Sequence, residues 1–366
     1  MLASRVVSSV VQRQVKYVTP VPPADAGGVV ADVYAQAAEE MRLVTPPLLL
    51  HSPAPEALAA YWMLMREPLM TGGAVDRMAK EAVAAAVSVS TICPYCVDMH
   101  SAGMYADADA DDAEAIVADR VENVADPRIR ALAGWARNAH LPDAPVDLTL
   151  TAAERAELVG VVVSFHYLTR MVNVFLSSFL VPPRLTPAAR RRVKHGIGRL
   201  LGRTLRESHP AGRSVSLLPP AELPADAGWA VGNEAVAQAT ARAYAALEAA
   251  GERALSPEVR AVVRRRLGRW RGEETGLSRQ WCEDLVDHLS EPDRAAGRLA
   301  LLTAFASYQV DEEVVAEFRR HHPGDRQLVE AVGWASLVAA RQVGALHLPT
   351  DPRPAATPPA PHPAGG

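Results

Sequence analysis

Cysteine and lysine are scarce in this chain. Three cysteines in 366 residues cannot build a disulfide framework, which points to a reducing compartment and hence the cytoplasm. Three lysines (Lys16, Lys80 and Lys194) stand beside 35 arginines, and 38 basic against 42 acidic side chains leave a formal charge of −4. That balance gives no footprint for nucleic acid or an anionic membrane, both of which ask for clustered positive charge. The arginine excess, with the richness in Ala and Pro, reads as the codon bias of a GC-rich genome. Alternating Val/Ile/Thr runs bounded by tight glycine turns are few, which argues against a β fold. Residues 1–24 lack acidic side chains and carry Arg5, Arg13 and Lys16, but their apolar run is short and broken by Ser8 and Ser9. This is read as a flexible N-terminal arm over 1–27 rather than a leader. The longest apolar stretch, 158–181, has the length of a membrane span yet contains His166, Arg170 and Asn173, so a buried helix is expected and no membrane partner.

What the chain does have is helical periodicity. With 49% hydrophobic and 22% charged residues it is ordinary globular material, long enough for two domains with real cores. Apolar residues recur at three and four along most of it, so an all-α protein is predicted. In the first half, helices are expected near 29–43, 55–66, 74–89, 94–105, 111–123, 127–139 and 151–180. Asp126 before Pro127, and Thr151 three residues ahead of Glu154, supply helix starts. Arg190, Arg191, Arg192, Lys194, Arg199, Arg203 and Arg206 follow Pro187 as a basic helix, read as a solvated face or a subunit contact. Residues 184–228 form this helix and a Pro/Gly-rich linker, and 347–366 form a disordered Pro-rich tail.

The second half repeats the first in worn form. The segment from Asp126 is echoed from Glu291, the one from Ala156 is echoed from Arg326, and Tyr95 to Met99 can be laid on Trp281 to Leu285.

The chemistry lies at Cys93-Pro94-Tyr95-Cys96-Val97-Asp98-Met99-His100. Pro94 suits the first helical position, which makes Cys93 the N-cap and Cys96 the third residue of the helix. Those two side chains meet in a capping box, so helix-start geometry brings the sulfurs together and favours thiolate through the helix dipole. His100 lies one turn beyond Cys96, within reach to exchange a proton with it. Glu81 is twelve residues before Cys93, about 18 Å away in one straight helix, so a break at Ser90 and Thr91 is needed to fold it back. A carboxylate enclosed there would have a raised pKa and could pass protons. Structural zinc normally brings a second tight ligand pair, which is not visible, and haem attachment would need His where Val97 stands. No cofactor or metal is called for. Cys282, without a second cysteine nearby, reads as packing.

Glu81, Cys93, Cys96 and His100 in the pattern E-x11-C-x2-C-x3-H resemble the AhpD-like alkylhydroperoxidases of the carboxymuconolactone decarboxylase superfamily. The resemblance implies an AhpD-like domain over 28–183 and a degenerate, motif-free copy over 229–346. It implies reduction of a hydroperoxide by the cysteine pair cycling through a disulfide, Glu81 and His100 relaying protons, and recycling by a dithiol reductant, a lipoyl or thioredoxin-like protein. It also implies a homo-oligomer. Cys96 is taken as the attacking thiolate and Cys93 as the resolving thiol, although a thioredoxin-like helix start would favour the reverse. Tyr95 stands where some relatives carry His. His166, Arg170 and Asn173 share one helix face and are read as lining the pocket near the dithiol or, equally, as a buried network. The competing reading is a non-peroxidatic dithiol/disulfide or metal-binding interaction protein of the same fold.

Overall fold

Short polar residues and prolines open the helices, as the sequence leads one to expect. In the computed structural model, which describes residues 14–104, 110–142, 149–177, 179–181 and 184–349, Asp126 accepts from the backbone N–H groups of Arg128 and Ile129 ahead of Pro127. Thr151 and Glu154 close a reciprocal capping box. Asp76, Ser256 and Asp311 cap three further helices through their own side chains.

The resulting order in the first half is α1 (Gly28–Met41), α2 (Pro46–His51), α3 (Pro55–Leu69), α4 (Arg77–Ser90), α5 (Pro94–Met104), α6 (Ala110–Val117), α7 (Pro127–Arg137) and α8 (Ala152–Phe175), followed by α9 (Pro187–Arg206). The second half runs α10 (Glu234–Ala254), α11 (Pro257–Arg269), α12 (Gln280–Val286), α13 (Glu291–Ala306), α14 (Glu312–His321) and α15 (Asp325–Ala345). Among the described residues there is no strand, only the isolated bridges Val15–Leu176 and Thr71–His209. The helix expected over 111–123 stops early, because Asp119 turns left-handed (φ 55°) and a 3-10 turn follows at Val121–Asn123. The helix expected to reach 180 ends at Phe175, where Leu176 becomes extended and pairs with Val15. α2 was not anticipated.

Both halves use one helix order, with α3, α4, α5, α7 and α8 corresponding to α10, α11, α12, α13 and α15. The three sequence echoes fall on α7 and α13, α8 and α15, and α5 and α12. Two corresponding pairs face one another: α3 packs on α10 and α8 packs on α15, so the core is four long helices, two from each half. This is a tandem arrangement whose second copy has lost the motif, since α12 carries Cys282 alone. α8 is long and apolar enough to cross a bilayer, but it is buried within this core. Of the arm expected over 1–27, residues 14–27 are described, and they lie against the core: the Lys16 amide donates to Phe175 O and the Thr19 amide to Asp325. Within the expected tail, His347 is buried and bonded to Ala139 O, while residues 350–366 lie outside the described residues.

The segment at 207–215 is anchored by buried charge. Arg66, wholly buried on α3, pairs with Glu40 at 2.8 Å and Glu67 at 2.6 Å. Glu67 in turn accepts from the backbone N–H groups of Gly212 and Ser214 and from the Ser214 hydroxyl, and Arg66 donates to Pro210 O. Removing one member of such a cluster strands the others in a poorly solvating interior. Arg66→Met should lower unfolding free energy by roughly 3–5 kcal/mol, read as a fall in the urea midpoint with little change in slope.

Candidate active site

The break required between α4 and α5 is made by a compact C-terminal turn. The Ile92 amide donates to Val89 O (3.1 Å) and the Cys93 amide to Ser88 O (3.0 Å), a Schellman pairing. The turn needs one left-handed residue, and that residue is Ile92, at φ 53°. Glycine usually occupies this place, and a β-branched side chain there stores strain of about 1–2 kcal/mol beside the thiols. The Val97 amide donates to Cys93 O and starts α5, so Cys93 sits at the helix start as expected. Cys93 and Cys96 are both buried, unbonded thiols with sulfurs 2.7 Å apart.

The turn lays α5 back along α4 and brings Glu81 to His100. His100 Nδ1 lies 2.7 Å from Glu81 Oε2, while Arg77, one turn earlier on α4, donates from Nε to Oε1 at 2.7 Å. The Ala82 to Ala86 run permits this close approach, and so does Gly103, where a Cβ would sit 3.3 Å from Glu81 Oε2. The expected raised pKa of Glu81 is corrected here. Burial does push the carboxyl up, but the charges of Arg77 and His100 and their hydrogen bonds outweigh it and hold Glu81 at about 2. Glu81 is therefore a fixed carboxylate that orients His100, with ring nitrogen Nε2 left uncommitted among the described residues.

A cavity of about 160 Å³ opens beside this group. Its polar side is Arg77, Glu81, Cys96 and His100, and the rest is mainly apolar, including Met65, Met99, Phe165 and Leu168. Cys96 faces this space and Cys93 does not line it. Burial, and then the neighbouring Cys93, push the Cys96 thiol well above the ordinary thiol range. Making a thiolate there requires a base or a strong local donor set. Tyr61 and Tyr95 both line the cavity and are held protonated by burial, with the charge of Cys96 adding to the effect. Both phenols thus keep their O–H groups, in residues that line the same cavity as Cys96. Cys282 is buried and raised to about 12 by that burial, consistent with packing.

His166, Arg170 and Asn173 do not line the dithiol cavity. His166 and Arg170 face a second cavity on the other side of the Ser90–Ile92 turn, between the halves, while Asn173 bridges Thr91 O and Ser307 Oγ. The reason is rotational: Phe165, Leu168 and Val172 carry the α8 face that looks at Cys96, and the polar stripe lies on another face. Three contributors escaped the sequence reading. Arg77 was readable from its i, i+4 spacing to Glu81. Tyr61 had no local signal. Asp98, buried on α5, accepts from the Val181 amide and pairs with Arg190 (3.2 Å) and Lys194 (3.6 Å) of α9, so part of the basic helix clamps the motif helix instead of facing solvent. Among the described residues no three His, Cys, Asp or Glu side chains converge as a metal-holding group.

The profile of the Carboxymuconolactone decarboxylase family matches residues 56–138, the stretch that contains Glu81, the dithiol and His100. Across 330 residues the chain is 38% identical to a Mycobacterium tuberculosis protein named Alkyl hydroperoxide reductase Rv2159c, covering 90% of this chain and 94% of that one.

Two outcomes follow from the geometry. Glu81 has its pKa depressed on folding, so the stability it contributes is present above its ordinary value of 4.5 and is lost as pH falls through about 2. The stability difference between wild type and Glu81→Gln should therefore shrink by roughly 3 kcal/mol between pH 5 and pH 2 in urea titrations. Ile92→Gly should raise stability by about 1 kcal/mol in the same assay by relieving the left-handed strain.

Proposed function

The chain belongs to the AhpD-like part of the carboxymuconolactone decarboxylase superfamily, and from that premise we propose that it reduces organic hydroperoxides with the Cys93–Cys96 dithiol. The observation that carries this reading is the placement of Cys96 in the wall of an apolar cavity, with His100 beside it and Cys93 2.7 Å from its sulfur.

The chemistry balances with these residues. Cys96 gives its proton to His100, which Glu81 orients. The thiolate attacks the outer peroxide oxygen, the O–O bond breaks, and the alkoxide leaves as an alcohol on taking a proton from His100. Cys96 is then a sulfenic acid. Cys93 attacks that sulfur, an S–S bond forms, and hydroxide leaves as water with the Cys93 proton. Two electrons pass from the two thiols to the peroxide, and a dithiol donor of the lipoyl or thioredoxin-like kind restores the pair. The superfamily's decarboxylase chemistry has no use for a vicinal thiol pair. The reading also places the protein in a reducing compartment, the cytoplasm, and as a homo-oligomer.

One equivalent of cumene hydroperoxide should remove two titratable thiols from wild type. Cys93→Ser should accumulate a dimedone-reactive sulfenic acid at Cys96, and Cys96→Ser should not react. Burial of a phenyl ring in the cavity predicts kcat/KM at least tenfold higher for cumene hydroperoxide than for hydrogen peroxide. Unchanged thiols in wild type would sink the proposal. Oxidation by a disulfide but not by peroxide would support simple dithiol exchange instead.

A further inference from the structure

The second cavity, of about 80 Å³, lies at the seam of the two halves. Its inner wall is Arg170 and His166 of α8 with His140 from the segment after α7, and the facing wall is the loop after α11, with Gly272 and Thr275. The loop is pressed close: Gly272 is at φ 90°, and a Cβ there would meet Leu141 at 2.4 Å and His140 O at 3.1 Å. Only glycine closes the seam this tightly.

The donor arrangement is unusual. Arg170 is buried, donates from Nε to Ala304 O (2.9 Å), and uses Nη1 for His166 O (2.5 Å) and His166 Nδ1 (3.2 Å). Its Nη2 has no hydrogen-bond partner among the described residues. A guanidinium only donates, so His166 Nδ1 must accept. The proton of the neutral imidazole then sits on Nε2, which is buried and without a partner. His140 Nδ1 and Thr275 Oγ1 are buried and unpartnered in the same cavity, with the two imidazoles 6.3 Å apart. Buried donors of this kind are normally matched by acceptors.

The charge points the same way. Burial lowers Arg170 to about 10, with no carboxylate acting against it, so it is cationic at neutral pH. Burial, then Arg170 and the neighbouring His140 and His347, push His166 down, and burial, Arg137 and Arg170 bring His140 to about 4. Both imidazoles are neutral there, and Arg170 is the buried positive charge of the cavity, with no ion-pair partner among the described residues. Glu273 and Glu274 stand exposed at the rim, and the Glu273 carboxylate is taken by the Arg271 amide and Arg266.

We propose that this seam cavity is a binding site for a small oxyanion, a carboxylate or a phosphate, held by Arg170 Nη2 and His166 Nε2 with Thr275 as a further donor. The site is separate from the dithiol cavity and needs both halves, which gives the second copy a part in ligand binding. The shared chemistry is a compact acceptor-only group of negative charge.

The test uses the full chain at pH 7.5, titrated separately with sodium phosphate and sodium acetate at ionic strength held by sodium fluoride. Melting temperature and tryptophan fluorescence are read together, because Trp270 stacks on His140 at 6.1 Å between ring centroids. The expected result is a saturable rise of several degrees with a matching fluorescence change, for one anion or both. Response to acetate alone identifies a carboxylate ligand, and response to phosphate alone a phosphate. Arg170→Met should abolish saturation. If that variant does not fold, His140→Phe, which alters the half-buried wall, should weaken the apparent affinity at least threefold. No saturable response to either anion in wild type overturns the proposal. So does a response that Arg170→Met leaves unchanged or, where that variant does not fold, one that His140→Phe leaves unchanged.

Discussion

One carboxylate holds the site together. Glu81 is shared between Arg77 on its own helix and His100 on the next, each at 2.7 Å, so α4 and α5 are locked at the point where the thiols emerge. Its cost of burial is large and is met by the Arg77 guanidinium and the hydrogen bond from His100 rather than by protonation. The result is a permanent anion that sets the orientation and tautomer of the neighbouring imidazole, much as a carboxylate orients histidine in other acid–base sites. The position of His100 against Cys96, and the polar edge of an otherwise apolar cavity, depend on it.

The turn between those helices divides the molecule functionally. On one side lies the dithiol cavity, roofed by α1, α2, α3 and α8. On the other lies the seam cavity, closed by the second half. Thr91 O receives Asn173, which also reaches Ser307 of the second half, so the strained Ile92 turn is buttressed from behind by the degenerate copy. Further along α5, Asp98 is gripped by Arg190 and Lys194 of α9. A helix that presents two reactive sulfurs is thus held at its start, its middle and one turn beyond, which is the preorganisation a two-thiol reaction needs.

Much of this was legible beforehand. Pro94, the cysteine spacing and His100 one turn on follow from helix geometry. Asp126 with Pro127, and Thr151 with Glu154, mark helix starts by capping chemistry that acts within three residues. The tandem order could be read from two aligned echoes. Less legible were the ends of helices: Phe175 is the last helical residue because Val15, far away in sequence, pairs with Leu176. The α2 turn, too short for a periodic signal, was invisible.

Residue spacing alone established an all-helical tandem chain and a dithiol with a base beside it, because those features are governed by contacts within one or two turns of the same helix. It could not say whether Glu81 would be protonated, which sulfur would meet a cavity, or which way Arg170 would face. Those depend on what stands across an interface a few ångströms away, where burial and opposite charge compete and a rotation of α8 by part of a turn exchanges one cavity for the other.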